Sequence, residues 1–287
     1  MIRVSLFTLV GLASGATALA AQPAIGNGRL DSRPASALQA DVRTLVDAAV
    51  DAVWIGYAVP AASDDRMCCA TGADGCCGTC GLERDRVGTT SAPAPPRRSA
   101  VLERPATVLV LLRAEARHVD RIRTFSADCV LDAGGRVVHW LTGVRADESL
   151  ALLDALVASG ATRELTHGAL TAIAQHAGDA PVDRLIAHAR TAPSSQVRSQ
   201  ALFWLSQRAT AKAIGAVVEA VDRDPETEVK RRAVFAISQL PATEAVPRLI
   251  ELARSHSNRD VRKQAIFWLG QSSDPRALAF FAELLGR

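Results

Sequence analysis

The residues with the most evident capacity for chemistry in this 287-residue chain are its six cysteines. Cys68, Cys69, Cys76, Cys77 and Cys80 crowd into residues 68–80, while Cys129 stands alone. Cys77-Gly78-Thr79-Cys80 has the two-residue gap used by zinc sites and redox motifs. A thioredoxin-type centre sets that gap at the start of a helix after a strand, and Gly72, Gly75, Gly78 and Gly81 oppose a helix here. Zinc takes four ligands, commonly as two spaced pairs. The adjacent pairs Cys68-Cys69 and Cys76-Cys77 do not turn easily toward one ion. Structural disulfides are therefore the leading assignment for all six, with metal binding and redox activity as alternatives. Six cysteines permit fifteen pairings, and spacing does not choose among them.

No other constellation announces a reaction. Gly-x-Ser-x-Gly, His-Glu-x-x-His and a phosphate-binding glycine loop ending in Lys-Ser or Lys-Thr are absent from the sequence. His139, inside an apolar run, reads as a satisfied or exposed histidine. No catalytic residue, metal ligand or cofactor is assigned.

A leader precedes these residues. Arg3, the apolar stretch Val4 to Val10 with Leu12, and the small-residue site Ala18-Leu19-Ala20 have the three parts of a secretory signal. The stretch is shorter than the roughly 20 apolar residues of a spanning helix and is diluted by Gly11, Ser14, Gly15 and Thr17. The expectation is a cleaved signal over residues 1–21, a periplasmic or secreted protein with no stable membrane insertion after cleavage, and an oxidising compartment that suits disulfides. Hydrophobic content of 48% with 22% charged residues describes a globular chain, and a formal charge of +3 gives no concentrated basic face for nucleic acid.

After the leader, residues 22–34 are polar and glycine-bearing and read as flexible. Ser36 looks like the N-cap of a helix whose apolar face is Leu38, Val42, Leu45, Val46 and Ala49, ending near Val53. Trp54 to Val59 then reads as a strand that completes a first part, residues 22–60. Residues 61–100, rich in Cys, Gly and Pro, read as a long exposed loop. Residues 101–146 return to strand composition: Thr107 to Leu112, then Val119 to Phe125, then a β-hairpin of Cys129-Val130-Leu131 and Arg136 to Leu141 joined through Gly134-Gly135. These form a small α+β domain with an antiparallel sheet. Asp147 or Ser149 would cap the helix that follows.

From residue 147 to the end one pattern recurs at an interval of 32. Val197-Arg198 leads to Ala201, Leu205 and Gln207; Val229-Lys230 to Ala233, Ile237 and Gln239; Val261-Arg262 to Ala265, Leu269 and Gln271. A weaker copy runs through Leu165, Ala169, Ile173 and Gln175. Each unit holds two helices, the second with core residues at i, i+3, i+4 and i+7, as in Val246, Leu249, Ile250 and Ala253. Neither helix buries its stripe alone, so neighbours must stack, and residues 148–158 form a half-repeat at the start. The Gln column reads as a ladder near helix ends where amides satisfy loose carbonyls. The column Arg198, Lys230, Arg262 reads as pairs with acidic neighbours.

The Val-Arg or Val-Lys pair, with Ala at the fourth and Leu or Ile at the eighth following position, resembles the HEAT repeat, in particular the short subtype shared with phycobilin lyases. The acidic residue ahead of that pair is irregular, Glu228 and Asp260 but Gln196. The resemblance covers residues 148–287 and implies an α-solenoid whose usual work is holding other proteins. Two similar enzyme classes fit poorly. Phycobilin lyases act on a cytoplasmic chromophore. Deoxyhypusine hydroxylases bind two irons through His-Glu pairs, and none of His118, His139, His167, His176, His188 and His256 precedes a Glu.

At 100° per residue the core positions of the first helix span an arc from 0° to about 140°, and the sixth position after the Val falls near 240°. That position holds Phe203, Phe235 and Phe267, with Thr171 in the weak copy. Two readings stand: lateral packing between neighbouring helices, or an apolar ridge that docks a partner, a second copy or the N-terminal domain. Ser199, Arg231 and Lys263 flank it, while Trp204 and Trp268 fall at the edge of the core arc. The expected function is a non-catalytic exported scaffold for an unidentified protein partner, with self-association as a further possibility. The alternative is an enzyme or redox or metal sensor with its chemistry in the Cys-rich N-terminal domain.

Overall fold

A computed structural model describes residues 22–62, 79–83, 107–127, 129–208 and 210–286. Residues 1–21, expected to be a signal, and Cys68, Cys69, Cys76, Cys77 and the proline-rich tract lie outside them. The architecture is an α+β domain followed by a helical solenoid. The first domain is a sheet in the order β1-β6-β2-β4-β5, made of β1 (Ala24–Pro34), β2 (Val53–Pro60), β4 (Thr107–Glu115), β5 (His118–Ser126) and β6 (Val130–Thr142). The short β3 (Thr79–Gly81) pairs with the start of β6. Strands β1, β6, β2 run parallel and β2, β4, β5 antiparallel, so the sheet is mixed where an antiparallel one was expected.

Two local expectations about strands are corrected. Residues 24–34 are a strand: β1 follows β6 from Ala24↔Val130 to Pro34↔Thr142, and its polar composition is that of an exposed edge. The chain from 129 to 142 does not reverse. Gly134 and Gly135, with φ of 62° and 79°, form an irregularity between the pairs Asn27↔Asp132 and Arg29↔Val137, and the strand continues. The tight hairpin is β4–β5. Its turn residues Ala116 and Arg117 have φ of 50° and 64°, and their N–H groups donate to Val50 O (3.1 Å) and Ala49 O (2.8 Å). Loop contacts hold that turn in a conformation usually left to Asn and Gly.

Helix α1 (Leu38–Ala48) ends before Val53, which opens β2. Ala37, not Ser36, is its N-cap; the Asp41 carboxylate reaches back to accept the Ser36 and Ala37 N–H groups at 2.8 and 3.1 Å. These bonds, the Ser36 one foremost, hold Asp41 below the usual carboxylate range.

The sheet alternates as its pleat requires. Ile55, Tyr57, Val59, Val108, Val110 and Leu112 join one core; Trp54, Leu109, Leu111, Val138 and Trp140 form another on the opposite face with Leu82 and Cys80. Cys80 is bonded to Cys129, with their Cα atoms 6.1 Å apart. This single pairing ties β3 to the start of β6 and takes Cys80 out of the Cys77-x-x-Cys80 motif.

Nine helices follow among the described residues: α2 (Ala146–Ser159), then α3 (Arg163–Gln175) with α4 (Ala180–Thr191), α5 (Ser195–Arg208) with α6 (Ala211–Arg223), α7 (Thr227–Ser238) with α8 (Ala242–Ser255), and α9 (Arg259–Gly270) with α10 (Pro275–Leu285). Helix α2 is the half-repeat. Its cap is Arg145, not Asp147 or Ser149: Glu148 accepts the Arg145 N–H, and Asp147 pairs with the Arg145 guanidinium at 3.0 Å. Ala169, Ala201, Ala233 and Ala265 are all 0% exposed, so the 32-residue register puts a small side chain where successive first helices press together. No described helix is long and apolar enough to cross a membrane.

The two parts share one core. Strand β5 lies on α3 at Gly168, where an added Cβ would come within 2.8 Å of both the Cβ and the carbonyl oxygen of Ile122. The end of β2 runs on to α3: Ala62 N donates to Gln175 O (2.8 Å) and Ala177 N to Pro60 O (2.9 Å). Inside this junction the Ser149 hydroxyl lies 2.9 Å from Tyr57 Oη and 2.9 Å from His176 Nε2, while His176 Nδ1 donates to Ala172 O at 2.7 Å. That donation assigns the neutral ring an acceptor at Nε2, so the hydroxyl protons run from Tyr57 to Ser149 to His176. Burial pulls His176 below the usual imidazole range, against the opposing Ala172 bond, and pushes Tyr57 up.

Candidate protein-binding face

The first helices α5, α7 and α9 lie side by side, and the sixth position after each Val sits on their outer side. Phe203 and Phe235 are half-buried and stack with ring centroids 6.3 Å apart and planes 4° from parallel. Phe235 touches Trp268 at 5.0 Å, and Trp268 touches Phe267 edge-on at 5.0 Å. Phe267 is 54% exposed. The lateral reading is met, and open surface remains beside it. The rings pack laterally on one another, as offset aromatic pairs do, and they retain open surface beside the core.

Sequence geometry missed part of this face. Trp268 belongs to the row rather than only to the core edge, and its indole N–H, like that of Trp204, has no hydrogen-bond partner among the described residues. Between α7 and α9 the row forms the wall of an open groove lined by Glu228, Arg231, Arg232, Phe235, Gln264 and Trp268. Arg231 is brought to the groove as expected. Lys263 is not in its lining; it stands exposed on α9, one turn before Phe267. Arg232 and Gln264 were legible in principle, being one position beyond the flanking column of Arg231 and Lys263, which helix geometry places on the other side of the phenylalanine column.

The electrostatics of the groove are basic. Glu228 Oε2 accepts from Arg231 at 3.0 Å and Glu228 Oε1 from Arg232 at 3.2 Å, so two guanidinium groups share one carboxylate. Such exposed pairs hold weakly, about 0–1 kcal/mol, and exchange readily for an incoming carboxylate.

The other repeated columns cap helices. Lys230 Nζ donates to Val221 O at 2.9 Å and to Asp222 O, and Arg262 donates to His256 O (2.6 Å) and Ser257 O (2.9 Å), in each case at the end of the preceding helix. Arg198 does the same at Ala192 O and Pro193 O, and it alone adds acidic partners, Asp224 at 2.7 Å and Glu226 at 3.0 Å. The acidic pairing expected of the whole column therefore holds for one member, because carbonyls left loose at helix ends satisfy cations equally well. The Gln ladder is likewise corrected: Gln207 and Gln239 donate to Ser206 and Ser238 hydroxyls at 3.3 and 3.1 Å, not to helix-end carbonyls. Elsewhere His139 Nδ1 meets Asp31 Oδ2 across β1 and β6 at 3.0 Å, and His188 meets Asp154 at 2.8 Å. Among the described residues no three His, Cys, Asp or Glu side chains gather to hold a metal ion.

Comparison with known proteins bears on the array. Residues 214–287 match the family model described as HEAT repeats. Over those residues the helix pairs are similar to HEAT repeats. The units ahead of residue 214 carry the same columns. A search of curated proteins found no match. Solved structures similar to the chain include human deoxyhypusine hydroxylase in complex with glycerol, at 16% identity, covering 42% of each chain, with a TM-score of 0.35. Another is YibA from E. coli, at 23% identity, covering 49% of this chain and 54% of that one, with a TM-score of 0.33. The chain thus spans about half the length, or less, of these structures, and at such scores neither carries an argument about function.

Proposed function

We propose that this protein is an exported, non-catalytic scaffold whose HEAT array binds another protein along the face of α5, α7 and α9. One observation carries the reading: Phe203, Phe235 and Phe267, with Trp268 beside them at the core edge, retain open apolar surface at positions the repeat core does not use. Aromatic side chains with an adjacent arginine are the groups that dominate protein interfaces when a partner seals them from water. The leader pattern of residues 1–21 supports export to the periplasm or beyond, and the Cys80–Cys129 bond is compatible with an oxidising compartment. Stacked helices give the partner a preformed surface, so little ordering entropy opposes binding.

Photo-crosslinking tests the location. A photoreactive side chain replaces Phe203, Phe235 or Phe267, and in a control Glu251, which is exposed on α8. The reading expects adducts to another protein from the three phenylalanine positions and none from 251. Equal labelling at 251, or none at 235, rejects it.

A further inference from the structure

The first repeat shows what this face accepts when it is filled. Gly168 in α3 stands one repeat before Gln200, two before Arg232 and three before Gln264, and the last two line the groove. At Gly168 the position is covered by β5, an extended segment of the same chain that places Ile122 against the helix. The open face is the continuation of an interface the protein already makes. What changes along it is chemistry. The flanking positions run Gly168, Gln200, Arg232, Gln264 and His167, Ser199, Arg231, Lys263, so the charge rises from neutral at α5 to basic at α7 and α9. Glu228 is the single carboxylate in the groove lining and is divided between Arg231 and Arg232; Lys263 has no ion-pair partner among the described residues, and Asp260 is exposed one turn before Gln264.

We infer that the groove between α7 and α9 takes an extended, acidic segment of another protein, which seats an aromatic or leucine side chain against Phe235 and Trp268 and places carboxylates on Arg231 and Arg232. The inference rests on the scaffold reading and names its partner's chemistry. Each part answers a feature of the groove. The apolar anchor covers the half-open rings, which is the central, water-excluded contact of a small interface. Carboxylates match guanidinium groups in a planar, two-point geometry that Lys and neutral partners cannot reproduce. A nucleic acid fits less well, because two guanidinium groups around one carboxylate are too sparse to follow a phosphate backbone.

A random twelve-residue peptide library displayed to the full-length protein tests the inference, with F235D and the double variant R231E/R232E as comparisons. Thermal melts accompany every variant, so that lost binding is read only where the fold is intact. The expected peptides combine Asp or Glu with Phe, Trp or Leu. They lose binding to F235D, weaken about tenfold or more against R231E/R232E, and weaken further as salt is raised. Basic or uncharged winners that need Phe235 but ignore the charge reversal overturn the acidic partner and leave the scaffold reading standing. Winners indifferent to F235D overturn both. A folded protein that sediments as a dimer, and becomes a monomer on F235D, overturns the inference in favour of a second copy; so does displacement of a selected peptide by a single-stranded oligonucleotide, in favour of nucleic acid.

Discussion

Arg198 shows how one column of a repeat carries unequal stakes. Its side chain is 7% exposed and that of its partner Asp224 is 4% exposed, whereas Lys230 and Arg262 meet only carbonyls. The Asp224 bonds hold the guanidinium firmly charged against desolvation. Arg198→Ala would leave a carboxylate buried without its counter-charge and is expected to destabilise by roughly 3–5 kcal/mol. Lys230→Ala loses hydrogen bonds at a wetter site and should cost only about 1 kcal/mol. Urea denaturation of the two variants checks the ranking, and equal losses would refute it. The column itself was legible at an interval of 32 residues. Its partners were not, since Asp224 stands on the loop after α6 and comes near Arg198 only once α6 has folded back along α5. The same limit applies to Tyr57, Ser149 and His176, which no spacing connects.

At the scale of elements, period and composition revealed the helices well and the strand directions poorly. Every helix of the array was readable because its apolar stripe recurs. The N-terminal sheet was harder: Gly134-Gly135 gives the local signal of a reversal, and only pairing with β1 shows that β6 runs straight through it. Two glycines separate local preference from packing. Gly215, inside α6, has nothing within 4 Å of where a Cβ would sit, so Gly215→Ala should stabilise by about 0.5–1 kcal/mol through helix propensity. Gly168→Ala gains the same propensity but drives a methyl group into Ile122 of β5, and it should destabilise by about 1–3 kcal/mol. Melting temperatures that move in opposite directions support the close α3–β5 contact; a stabilising Gly168→Ala contradicts it.

At the scale of the whole molecule, the sheet closes the open end of the array through one continuous core. The chain should therefore unfold in a single transition rather than domain by domain. That transition should depend on pH. The unfolded chain protonates His176 more readily than the folded one, so its contribution is complete above the unfolded value of about 6.5 and declines as pH falls through the depressed folded value. His167, also lowered by burial, acts with the same sign. His176→Gln should be less stable at neutral pH yet lose less between pH 7 and pH 5, as urea midpoints at the two values would record; an unchanged pH dependence contradicts the junction chemistry.

The sealed junction also leaves the face of α5, α7 and α9 uncovered, and partner binding there is the central proposal. Its most direct measurement pairs the thermal melt of Phe235→Asp with recovery of the proteins crosslinked at positions 203 and 267 of the unaltered face. Phe235 is half-buried and outside the repeat core, so a melt within a few degrees of the parent is predicted, together with loss of those partners from the affinity-purified protein. Retention of the same partners by a well-folded Phe235→Asp, or collapse of the fold itself, would contradict it.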